Sequence, residues 1–92
     1  MIMFNLESVQ PDAETIAKNQ SKVGDADPCV VCGKKVNALK SKWVHLSCYG
    51  NLYPAEITTE DAANFPEGTM FFFPVGPECA KKIPAEYIQK EG

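Results

Sequence analysis

Residues 29–36 read CVVCGKKV, and the fold turns on what that octet is for. Two cysteines stand two residues apart, followed by a glycine and two lysines. That spacing lets the backbone curl so that both sulfurs face one ion, and Gly33 tolerates the left-handed backbone that closes such a knuckle. The octet supplies half of a tetrahedral metal site. The other donors of this kind in the chain are His45, Cys48 and Cys79, one more than the site needs.

A chain of 92 residues is read as one small globular unit. A unit of that size buries only about 60–70% of its unfolded surface, so a bound metal would add much to its stability. Cys-x-x-Cys with a histidine nearby favours metal over disulfides in a reducing compartment. The opening MIMFNLESVQPDAE lacks the basic lead and sustained apolar run of a secretory signal. No stretch approaches the roughly 18 apolar residues of a membrane span. The expectation is a cytoplasmic protein with no membrane partner.

The net charge of −3 is unevenly placed. Residues 1–28 hold five acids and two lysines; residues 29–55 hold four lysines and no acid; residues 56–92 hold seven acids and three lysines. The acidic balance speaks against nucleic acid as an obligate partner, while the basic middle keeps local contact with it in play.

Residues 1–28 are expected to form an N-terminal arm, partly flexible or a short helix. Ile2, Phe4 and Leu6 alternate as in a strand, and Pro11 with the acids after it suits a first helical turn. Residues 29–92 are expected to form the metal-binding domain. Within it, 42–49 (KWVHLSCY) alternates as a strand. Residues 52–57 suit a second strand, shortened or pushed to an edge by Pro54. Thr58 and Asp61 have capping-box spacing for a short helix. Residues 69–73 (TMFFF) are the strongest strand signal, and Gly76-Pro77-Glu78 opens a helix that carries Cys79. The fold class expected is α+β: a small zinc-ribbon or treble-clef-like domain with a short antiparallel sheet and a C-terminal helix.

Cys79 is the natural partner of the knuckle, since the first turn of a helix favours a thiolate. For the fourth donor, strand alternation sets His45 on one face with Trp43 and Ser47, and Cys48 on the other with Val44 and Leu46. Both cannot reach one ion from a straight strand. Cys48, among apolar neighbours, reads as a plain buried cysteine. The expected zinc ligands are Cys29, Cys32, His45 and Cys79, with Cys48 in place of His45 as the alternative.

The blocks CVVCGKKV, KWVHLS and FFFPVGPECAKKIP, over roughly residues 29–84, resemble those of short zinc-ribbon-like proteins of bacteria and their phages. The resemblance implies a metal site made of the CxxC pair, the histidine of the WVH block and the cysteine of the PVGPEC block, which are Cys29, Cys32, His45 and Cys79. It implies no particular activity.

Catalytic patterns are lacking. Glu60 and Asp61 are adjacent acids suited to a helix cap. A deaminase-like centre needs His-x-Glu beside Pro-Cys-x-x-Cys, and His45 is followed by Leu46 and Ser47. The chain is therefore expected not to be an enzyme or to act on a small-molecule substrate. Two binding roles remain. The first is a zinc-stabilised adaptor whose partner is another protein, contacted through aromatic residues among Trp43, Tyr49, Tyr53, Phe71, Phe72, Phe73 and Tyr87. The second is a nucleic-acid binder using Lys34, Lys35, Lys40, Lys42, Lys81 and Lys82. The chain contains no arginine, so guanine readout would lack its best donor, and such binding would be non-specific and salt-sensitive.

Overall fold

The computed structural model describes residues 2–37 and 41–89. It is α+β, with a four-stranded antiparallel sheet in the order β1-β3-β2-β4. The elements are β1 (Phe4–Asn5), α1 (Ala13–Gln20), β2 (Lys42–Leu46), β3 (Asn51–Tyr53), α2 (Thr59–Ala63), β4 (Phe72–Val75) and α3 (Pro77–Ala80). No helix among the described residues is long and apolar enough to cross a membrane.

The sheet is organised around β2, whose alternation sends its side chains to two different covers. Val44 and Leu46 pack with Leu52, Val75, Val31, Ile83 and Tyr87 in the main core. His45 points the other way, against the rings of Tyr53 and Phe72 at 4.9 and 5.1 Å between centroids. Register agrees, since Leu46 pairs with Leu52 and His45 with Tyr53 across β2 and β3. Pro54 follows β3 directly. The line it abandons beside β2 is resumed by the C-terminal segment, where Ile88 bridges to Val44 and the Gln89 N–H donates to the Trp43 carbonyl at 2.8 Å.

The segment between β3 and β4 covers the His45 face. Thr58 and Asp61 form the expected reciprocal cap of α2. Ala62 is fully buried, and Phe65 lies 5.9 Å from the Tyr53 ring. The Tyr53 hydroxyl donates to the Gly68 carbonyl at 2.7 Å.

The arm is tied to this framework. Residues 4 and 5 pair with β3, Leu6 is buried, and its N–H donates to the Gly50 carbonyl. Asp12 caps α1 by accepting from the Thr15 N–H and hydroxyl, which holds its carboxyl below the usual range.

The last strand differs from expectation. It runs over Phe72–Val75 rather than 69–73, and Pro74 sits in it on an edge, where a missing N–H is tolerated. At its entry Met70 and Phe71 stand together opposite Leu46: the Met70 N–H donates to the Leu46 carbonyl, and the Leu46 N–H to the Phe71 carbonyl. This is a β-bulge, and Phe71 takes φ +66°, a conformation that costs an L-residue about 1–2 kcal/mol. Phe71 is 61% exposed, so packing does not compensate. Phe71→Gly is accordingly expected to be more stable than Phe71→Val by about 1–2 kcal/mol in urea denaturation, since glycine accepts positive φ and a β-branched residue does not. A more stable valine variant would show that the bulge is not strained.

Candidate metal centre

The knuckle is a miniature hairpin. Pro28 bridges to Lys35, the Cys29 N–H donates to the Lys34 carbonyl at 2.7 Å, and the Gly33 N–H returns to the Cys29 carbonyl at 2.8 Å. Gly33 has φ +83°, as the reversal requires. The hairpin is fastened to β4 by the Val30 N–H donating to the Pro74 carbonyl at 3.0 Å. Beyond β4, Gly76 and Pro77 turn the chain into α3, whose third residue is Cys79.

The sulfurs of Cys29, Cys32 and Cys79 all lie within 4.8 Å of one another, close enough to hold one metal ion. Cys29 and Cys79 are buried and Cys32 is half-buried. Burial works against a thiolate at Cys29, but N–H groups of Cys32, Gly76 and Val31 and the Cys79 thiol donate to its sulfur, and together they hold it below the usual thiol range. The Gly76 N–H stands 3.3 Å from that sulfur. Cys79 is pushed up to about 12, chiefly by burial, then by its contacts with the Cys32 and Cys29 sulfurs and their negative charge. The surroundings thus favour the thiolate form more at Cys29 than at Cys79.

His45 does not join them. Its Nδ1 lies 3.2 Å from the Ile57 carbonyl and its Nε2 2.6 Å from the Thr69 hydroxyl. The carbonyl can only accept, so Nδ1 carries the proton and Nε2 accepts from Thr69; the Thr69 oxygen in turn accepts from the Phe71 N–H at 3.0 Å. The ring is fully buried, and burial lowers its pKa against a weaker opposing pull from the Ile57 carbonyl. His45, expected as the fourth ligand, therefore lies apart from the three clustered sulfurs. Its neighbour Val44 shares the core with Cys29 and Cys79, and alternation sends His45 to the opposite face.

The reading of Cys48 is corrected. β2 ends at Leu46, and Cys48 is exposed in the turn that follows, its sulfur near Gly68 rather than buried on a strand face. Lys34, Lys35, Lys42, Lys81 and Lys82 are all exposed, and Lys40 lies outside the described residues. Lys34 and Lys35 follow Cys32, and Lys81 and Lys82 follow Cys79, so joining the sulfurs gathers four ammonium-bearing residues close in sequence to the centre.

The part played by α1 was not legible from spacing. Its Asn19 amide donates to the Cys32 carbonyl at 2.8 Å, and just before the helix the Gln10 amide donates to the Val30 carbonyl at 3.0 Å. A Cβ on Gly33 would stand 2.8 Å from the Ile16 carbonyl oxygen and 2.9 Å from the Gln20 side chain. Gly33→Ala must then distort the knuckle or displace α1. Positive φ alone costs about 1–2 kcal/mol, so the expected loss is at least about 2 kcal/mol, measurable by thermal denaturation. An unchanged Tm would show that α1 does not rest on the knuckle.

Compared with protein-family models, with curated proteins and with solved structures, the chain matches none.

Proposed function

We propose that this is a small zinc-stabilised binding protein, a zinc-ribbon-like adaptor whose metal holds the knuckle against α3 and whose partner is another protein. The observation that carries the metal is the mutual approach of three cysteine sulfurs from two distant chain segments, the knuckle at Cys29 and Cys32 and the start of α3 at Cys79. Thiolates in that arrangement favour zinc over hard cations, which prefer oxygen. A structural zinc contributes about 10–16 kcal/mol of apparent binding free energy, comparable to or above the roughly 5–15 kcal/mol net stability of a typical domain. The protein-binding part is supported by Met70, Phe71, Phe72 and Tyr49, which are exposed although large and apolar.

The lysines flanking the cysteines support a second reading, non-specific binding of nucleic acid. The lack of arginine and the pairing of Lys81 with Glu78 at 3.5 Å weigh against it.

Native mass spectrometry of the full chain tests the metal directly. One zinc per chain is expected, retained in Cys48→Ser. A metal-free protein after growth and purification with zinc present would end this reading. Binding to single-stranded DNA over a salt series separates the two roles: affinity that falls steeply with salt supports the second, and absence of binding at low salt removes it.

A further inference from the structure

We propose that the centre holds its ion through three protein thiolates only, and that its fourth coordination position is filled from outside the chain by a small anion with a nitrogen or sulfur donor atom. The inference rests on the metal reading above and goes beyond it, because a closed four-ligand zinc site is structural whereas an open one exchanges ligands.

His45 and Cys48 lie away from the three sulfurs. His45 has both ring nitrogens engaged, toward Ile57 and Thr69, on the sheet face away from the core that holds Cys29 and Cys79. Cys48 is exposed near Gly68. Among the described residues no further histidine, cysteine or carboxylate belongs to the sulfur cluster. Asp27 and Glu78, the acids nearest in sequence, are exposed, and Glu78 is paired with Lys81.

The three cysteines are not equally covered. Cys29 and Cys79 are buried, whereas Cys32 is half-buried, which makes it the most accessible residue of the three. Exposed Lys34 and Lys35 follow Cys32 after Gly33, and Lys81 and Lys82 follow Cys79 after Ala80. Three thiolates on a divalent ion leave one net negative charge. Lys34, Lys35 and Lys82, which have no ion pair with an acid among the described residues, offset it and raise the local concentration of anions over that of neutral donors.

The test uses the full chain loaded with cobalt(II) in place of zinc, whose visible absorption reports the donors and geometry around the ion. Azide is the anionic probe and imidazole the neutral one. A saturable shift of the cobalt bands on adding azide is expected, at least several-fold tighter than any shift with imidazole, and equally present in Cys48→Ser and His45→Gln. Bands that do not respond to azide overturn the proposal, because a fourth protein ligand then closes the site. Imidazole binding as tightly as azide overturns the preference for an anion. Failure to take up cobalt or zinc overturns the metal reading itself, and the proposal with it. If His45→Gln does not fold, wild type and Cys48→Ser still decide the matter.

Discussion

Cys79→Ser is expected to lose the metal and with it most of the stability of the core. A hydroxyl is a far poorer zinc ligand than a thiolate at neutral pH, and two cysteines two residues apart cannot hold the knuckle to α3 by themselves. Because apparent zinc-binding free energy of about 10–16 kcal/mol matches or exceeds the net stability of a typical domain, the variant should melt far below wild type or not fold at all at ambient temperature. The control is a strong chelator. Wild type without metal and Cys79→Ser should then converge to within about 1–3 kcal/mol, the cost of placing a hydroxyl where a buried sulfur sat. Thermal denaturation followed by far-ultraviolet circular dichroism, with and without chelator, checks both statements. A wild-type protein whose melting ignores the chelator would show that the three sulfurs are no more than a cysteine-rich part of the core.

His45→Ala is expected to cost about 3–5 kcal/mol, and for a reason unrelated to metal. The substitution empties a fully buried site between Tyr53 and Phe72, a cavity term of the kind seen for other large core side chains. It also strips partners from the Ile57 carbonyl and the Thr69 hydroxyl, at about 1–3 kcal/mol for a polar group left buried and unpaired. Zinc content of whatever protein remains folded should be unchanged. Loss of zinc at normal stability would restore His45 to the ligand set.

The same histidine gives the stability a pH dependence of known sign. Its folded pKa lies below the ordinary value of 6.5, since burial disfavours the imidazolium. Below pH 6.5 the unfolded chain takes up a proton that the folded chain resists, so stability is present in full above that pH and falls as pH drops toward the folded pKa. The slope cannot exceed about 1.4 kcal/mol per pH unit for one proton. His45 is the only histidine, so His45→Leu should remove this component below pH 6.5 in urea titrations. A slope that survives the substitution would assign it to other groups.

Sequence alone determined the local events. The knuckle at 29–36 follows from spacing and one glycine; the cap of α2 follows from Thr58 and Asp61; and Gly76-Pro77 starts α3, whereas the strand expected over 52–57 stops at Tyr53, before Pro54. Each is a preference of a few neighbouring residues and needs no distant partner. Cys79 was also within reach, because the first turn of a helix suits a thiolate wherever the rest of the chain lies. What the tertiary structure decided is which face of β2 the knuckle covers. Alternation says that Val44 and His45 look in opposite directions but not which one looks toward Cys29. That choice belongs to the packing of Val31, Val75, Ile83 and Tyr87 in the core with Val44, and it set the chain's one histidine in a buried hydrogen-bonded clamp away from the cysteine cluster. The bulge at Phe71 and the seat of α1 on Gly33 have the same origin. Each exists because two segments far apart in sequence compete for one space, and no short stretch of sequence records the outcome.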